Sequence, residues 1–194
     1  MLIIHDKNGK RGTTMNLYTS DLHFGHSNVI RFDHRPFLDV DEMDRTLIDL
    51  WNNRVQPDDT VYIVGDICFR ASRTPAWYLR QLKGHKILIL GNHDGVVLKD
   101  QSALRLLEGV ESLVRIVDGE NKISLCHYPI AEWHGWHRGT WHIYGHIHNR
   151  TDGAYRYMKT MDHALNAGCM INNYTPASFS ELLRNNARFK EMNP

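Results

Sequence analysis

Four short apolar runs in this 194-residue chain stop at the same kind of polar block. Residues 16–20 run into Asp21-Leu22-His23, and Thr60–Val64 into Gly65-Asp66. Lys86–Leu90 runs into Gly91-Asn92-His93-Asp94, and Trp141–Tyr144 into Gly145-His146-Ile147-His148. A fifth run, Lys122–Cys126, meets His127. Runs of this length and composition suit buried strands. In open α/β sheets, ligands bind beyond the carboxyl ends of strands. Rigid strands then aim the side chains, and glycine lets the backbone turn sharply at the strand end.

The block residues are metal ligands by type. Thirteen histidines are present, and six of them (His127, His134, His137, His142, His146 and His148) fall in one short stretch. Histidine is the commonest metal ligand. In an extended segment, residues i and i+2 point to the same side. Asp21 and His23 can therefore grip one ion, as can His146 and His148 if they bend toward a pair. Asp21, His23, Asp66, Asn92, His127, His146 and His148 offer seven oxygen and nitrogen ligands and no thiolate. That exceeds one tetrahedral zinc and suits two ions sharing a carboxylate. The donor set favours Mn, Fe or Zn over copper.

The rest of the chain frames these blocks. Met43, Leu47, Leu50 and Trp51 recur at helical spacing behind a cap at Asp39 or Asp41. Thr74-Pro75 opens a helix through Leu82, and a weak helix is expected over about Ser102–Leu107. Leu113–Val117 and Lys122–Cys126 flank a hairpin turn. Ala154–Met158 and His163–Asn166 read as short strands. A final helix takes its cap from Thr175-Pro176 or from the Ser178/Glu181 capping box. Strands alternating with helices, followed by hairpins, give an α/β chain with a mixed sheet. Residues 1–14 read as a polar leader, with Met15 a candidate for the true start, and residues 15–194 as a single domain.

The ordered blocks resemble the calcineurin-like metallophosphoesterases, whose motifs read D-x-H, G-D, G-N-H-D/E, H and G-H-x-H. The resemblance covers about Met15 to Phe189. The stretch from Ser20 through Arg35-Pro36-Phe37 is similar to a compact subgroup of bacterial and phage phosphoesterases. The resemblance implies a four-layer α/β/β/α sandwich with two mixed β-sheets. It implies that Asp21, His23 and His148 hold a first metal, that Asn92, His127 and His146 hold a second, and that Asp66 bridges both. It implies two divalent ions, Mn foremost, with Fe or Zn as alternatives. His93 would face the substrate phosphate and Asp94 would orient it. The implied activity is hydrolysis of a phosphodiester, favoured over a phosphomonoester, by attack of a metal-bridging hydroxide.

Other residues carry weaker signals. His26, Asn28, Arg31 and Arg35 follow the first block and suit phosphate binding or plain loop polarity equally. Trp133, His134, Trp136 and His137 read as loop packing over the site before they read as a stacking rim. Cys68 and Cys126 read as small buried hydrophobes. Twenty-three basic against 22 acidic residues leave a charge of +1, so no broad basic field exists for long duplex nucleic acid. A small phosphate ester, a nucleotide among the candidates, is the expected partner. No run approaches the ~18 apolar residues of a membrane span. Three scattered cysteines make no disulfide framework and point to the cytoplasm. Two other functions compete: a non-catalytic interaction scaffold on the same fold, and a nuclease acting on short strands. The complete ligand set disfavours the scaffold.

Overall fold

The computed structural model describes residues 14–194, so residues 1–13 of the expected leader lie outside it. The first sheet contains β1 (Asn16–Thr19), β2 (Thr60–Ile63), β3 (His85–Ile89) and β4 (Gly109–Glu111), in that spatial order. All its pairings are parallel. The second contains β5 (Leu113–Asp118), β6 (Asn121–Cys126), β7 (Trp141–Tyr144) and β8 (Ala164–Asn166), also in chain order. Here β5 and β6 form the expected antiparallel hairpin, and the other pairs are parallel.

Only the second sheet is therefore mixed, against the expectation of two mixed sheets. The reason lies in the connections. A parallel pair needs a crossover long enough to return the chain to the same end. Helices α1 (Ser27–Phe32) and α2 (Val40–Arg54) make the first crossover, and α3 (Pro75–Gln81) the second. The short turns α4 (Gly95–Leu98) and α5 (Gln101–Leu104) make the third. The four-residue α5, capped by Asp100, is all that forms of the helix expected over Ser102–Leu107.

Local chemistry explains the longer helices. Asp39 caps α2 by accepting from the Glu42 amide, and the stripe Met43, Leu47 and Trp51 is buried. Thr74 caps α3 with Pro75 at its first position. The closing helix α7 (Phe179–Met192) uses the full Ser178/Glu181 capping box rather than Thr175-Pro176. Ala154–Met158 is a helix, α6, and not the expected strand. Tyr155 and Met158, three residues apart, are its buried positions, and that spacing places them on one helical face.

Three apolar clusters separate four layers. Leu17, Val61, Ile63 and Leu88 of the first sheet pack on Met43, Leu47, Trp51 and Tyr78 of the helices. Tyr18 and Ile89 on the opposite face meet Ile123, Leu125, Ile143 and Leu165 of the second sheet. Beyond that sheet, Trp133, Tyr144 and Ala164 pack with Tyr155 and Met158. The result is an α/β/β/α sandwich. Cys68 and Cys169 are buried and Cys126 half-buried, all as free thiols. Among the described residues, no helix is long and apolar enough to cross a membrane.

His142 makes stability pH-dependent. It is buried on β7, where Nδ1–H donates to the Ser124 carbonyl at 3.2 Å. Its Nε2 accepts from the Ile130 amide at 3.3 Å. Burial lowers its pKa to about 4, against the raising effect of the Ser124 carbonyl and of the Tyr128 carbonyl, 3.2 Å from Nε2. The unfolded chain therefore binds the extra proton first. The contribution is complete above the ordinary histidine pKa of ~6.5 and is lost as pH falls toward 4, worth roughly 3 kcal/mol. Urea midpoints should fall across that window, and His142→Asn should flatten the slope. Equal slopes would refute this origin.

Candidate metal centre

Every ligand block follows the C-terminal end of a strand: β1, β2 and β3 in one sheet, β6 and β7 in the other. The backbone ladder continues past β1, with Asp21 N donating to Gly65 O and His23 N to Asp66 O, both at 3.0 Å. A parallel bridge between Ser20 and Gly168 ties the two sheets at this end. All five blocks thus meet on one edge of the sandwich.

Five of the seven candidate ligands depart from the extended backbone expected for residues i and i+2, although Asp21 and His23 still fall in one group. Asp21 (φ 56°), His23 (52°), Asp66 (58°), His146 (71°) and His148 (55°) are all left-handed. For a non-glycine residue this conformation costs roughly 1–2 kcal/mol, and such strain clusters at functional sites. Two glycines make the close approaches. Gly65 has φ +89°, and a Cβ there would fall on His127 Nδ1. A Cβ at Gly91 would fall on the Asp66 carboxylate.

Ligand atoms of Asp21, His23 and His148 lie within 4.8 Å of one another, as do those of Asp21, Asp66 and His127. Asn92 Oδ1 completes a further group, 3.1 Å from His127 Nε2 and 2.9 Å from His146 Nδ1. Asp66 Oδ2 sits between, 3.6 Å from His23 Nε2 and 3.5 Å from His127 Nε2. His146 and His148 diverge to different groups and do not pair.

Hydrogen bonding shows that these donors suit cations. His127 Nδ1 lies 2.8 Å from the Val64 carbonyl, which only accepts, so the ring proton is on Nδ1. Its Nε2 lone pair then faces Asn92 Oδ1 and Asp66 Oδ2, both acceptors. His148 Nδ1 likewise donates to Asp33, 2.8 Å from Oδ1 and 2.9 Å from Oδ2. Its Nε2 then faces His23 Nε2 at 3.1 Å. Converging lone pairs repel unless a cation, or a proton in its place, lies among them. Burial lowers the His23 pKa, helped by the charges of His148 and Arg35, which keeps the ring neutral and ligand-competent. Burial opposes charge at His148 too, but the Asp33 hydrogen bond and the Asp21 charge outweigh it and raise its pKa. The same negative field favours a metal ion. Burial raises the Asp66 carboxyl against the pull of His127; a bound cation would reverse that direction.

Asp33 is a partner of this cluster that the sequence does not reveal. It lies 115 positions from His148, and no spacing links them. A carboxylate on the far nitrogen of a ligating histidine fixes its tautomer and raises its basicity.

Two expected roles change. Arg35, taken as a phosphate contact, is only 4% exposed. Its guanidinium donates to Asp33 Oδ2 and to the carbonyls of Asp21 and Leu22. It braces the ligand loop from beneath. Asp94, expected to orient His93, is fully buried. It accepts from the backbone amides of Asp66, Ile67 and Gly91, a clamp between two ligand loops. His93 itself is partly exposed, with its amide on Asp66 Oδ1 at 2.9 Å. Its ring lies 5.5 Å from His23 and makes no side-chain hydrogen bond among the described residues. Arg31 is exposed and His26 partly so, both on the His23 side. Trp133 packs in the outer cluster with Tyr144 and Tyr155, its Nε1–H on the Thr140 carbonyl, and Trp136 is exposed. A separate groove of about 810 Å³, lined by Leu113, Arg115, Lys122 and Arg138 among others, contains none of the ligands.

No protein-family model matches the chain. The uncharacterized protein MJ1445 of Methanocaldococcus jannaschii is 32% identical over 167 residues, 85% of this chain and 87% of its own. The gene 66 protein of Mycobacterium phage L5 is 31% identical over 159 residues, covering 68% and 76%. The crystal structure of AQ665 from Aquifex aeolicus, a protein of unknown function, aligns with a TM-score of 0.67 at 25% identity. That alignment spans 89% of this chain and 99% of AQ665. With its two-sheet sandwich and strand-end ligands, the chain belongs to the family represented by MJ1445 and the phage L5 gene 66 protein.

Proposed function

We propose that the chain is a metal-dependent phosphoesterase with a dinuclear centre, acting on phosphodiesters in preference to monoesters. The observation that carries this reading is the pair of ligand groups that share Asp21, with Asp66 Oδ2 between His23 and His127 and an unengaged imidazole, His93, beside them. Asp21, His23 and His148 would hold one ion; Asn92, His127 and His146 the other; Asp66 both. Manganese suits the oxygen and nitrogen donors, with iron or zinc as alternatives. Two such ions supply a water activated at neutral pH and neutralise charge on the phosphoryl oxygens.

The chain's own residues do the rest. Asp33 and Val64 O hold the protons of His148 and His127 on Nδ1, which keeps each Nε2 open. Asp94 locks the Asp66 and Asn92 loops at a fixed separation. His93 donates a proton to the leaving oxygen as the phosphorus–oxygen bond breaks, and the attacking water supplies the oxygen that replaces it.

Metal-stripped protein titrated with Mn²⁺ should recover bis-p-nitrophenyl phosphate hydrolysis at about two ions per chain. Saturation of activity at one ion, or no activity with two bound, would overturn the reading. His93→Ala should keep its metal content. Its turnover should fall ~10²–10⁴-fold on an alkyl ester, a poor leaving group, and less on p-nitrophenyl esters. Equal losses on both substrates would remove His93 as the acid.

A further inference from the structure

Phe32 is 61% exposed at the end of α1, and neither it nor Phe69 belongs to any apolar cluster of the core. It is the outer member of a row of rings. His26 stands edge-on to Phe32, with centroids 6.4 Å apart, and edge-on to Phe69 at 4.9 Å. Phe69 lies 4.1 Å from His93. The Arg31 guanidinium is 5.3 Å from the Phe32 centroid, and that of Arg70 is 5.1 Å from Phe69. Arg70 has a left-handed backbone at φ 50°. The His26 Nδ1 atom is buried and has no hydrogen-bond partner among the described residues. A parallel bridge between Phe24 and Cys68 fixes the Phe69 loop beside the first ligand block.

We propose that this row is the subsite for the base of a nucleoside phosphate whose phosphate lies at the metal centre. The proposal rests on the phosphoesterase reading and names its substrate class. Aromatic faces stack any base, and neighbouring guanidinium groups add cation–π attraction. The length of the row discriminates between ligands. In a simple aryl ester the ring is bonded to the ester oxygen and stays against His93. In a nucleotide the sugar separates base from phosphorus, which carries the base outward to Phe69, His26 and Phe32.

The test compares adenosine 5′-monophosphate with ribose 5-phosphate as inhibitors of bis-p-nitrophenyl phosphate hydrolysis by the full-length, Mn²⁺-loaded protein. The base should lower the inhibition constant about tenfold. In a Phe32→Ala/Phe69→Leu variant the two constants should converge to within about threefold, with ribose 5-phosphate unchanged. Emission of a 2-aminopurine nucleotide, quenched on stacking, reads binding without turnover. Hydrolysis with equal inhibition by the two compounds would overturn the base subsite alone. Quenching without hydrolysis would overturn the phosphoesterase reading alone, and neither signal would overturn both. A tenfold gap that persists in the double variant would overturn the assignment to these rings.

Discussion

Asp66→Asn should lose metal at both clusters and at least ~10³ of turnover, since ions that stabilise a phosphoryl transition state are worth several kcal/mol. The substitution removes one oxygen's charge and leaves the side-chain size unchanged. Asp66 Oδ1 already accepts the His93 amide, a bond that the Asn carbonyl oxygen can keep. Oδ2, which faces His23 Nε2 and His127 Nε2, would become an amide nitrogen. An amide nitrogen offers protons where a cation needs a lone pair. The fold around it should survive, because Asp94 holds the Asp66 backbone amide independently. Metal stoichiometry by elemental analysis and thermal unfolding of the metal-free variant separate the two effects. Two ions per chain in Asp66→Asn would reject its bridging position.

The largest effect on stability is expected at Arg35. Removing one partner of a buried ion pair costs about 3–5 kcal/mol, because the other charge is left uncompensated. Arg35→Met fills similar space beside Met43 and Met170, whose sulfurs already touch the guanidinium. It leaves Asp33 5% exposed with the His148 Nδ1–H as its remaining side-chain hydrogen-bond partner. It also frees the Asp21 and Leu22 carbonyls that the guanidinium holds. Denaturant unfolding of the metal-free protein measures the loss. If the orphaned charge is the cause, Arg35→Met/Asp33→Asn should recover part of it. A double variant no more stable than Arg35→Met would point instead to the lost carbonyl bonds. The His148 ligand should suffer in the double variant regardless, with metal affinity down about 10–100-fold, because a carboxamide in place of the Asp33 carboxylate orients the ring less firmly.

Much of this molecule is legible along the chain. The apolar runs that end at Asp21, Asp66, Asn92, His127 and His146 are strands, and all five deliver candidate ligands to one edge. That works because a strand's extent and apolar pattern are local properties, and the blocks lie within a residue or two of the strand ends. Caps at Asp39, Thr74 and Ser178 are legible for the same reason: a cap bonds an amide two or three residues away. The strand expected over Ala154–Met158 fails because its apolar residues read both ways in sequence: Tyr155 and Tyr157 alternate as in a strand, whereas Tyr155 and Met158, the two that are buried, share a helix face. Contact with Trp133 and Ile147 in the outer cluster favours the helix.

Which residues gather is written in the chain itself, because the identities and order of the strand-end blocks are local. How they meet is a tertiary matter. Backbone at five candidate ligands is left-handed, and long-range bonds accompany it: Asp21 and His23 donate to the Gly65 and Asp66 carbonyls, and the His146 amide donates to the Asp21 carboxylate. Asp33 reaches His148 across 115 positions, and Arg35 turns inward because Asp33 and two carbonyls surround it. Pairings between distant segments depend on how the two sheets stack, and spacing along the chain carries no information about that.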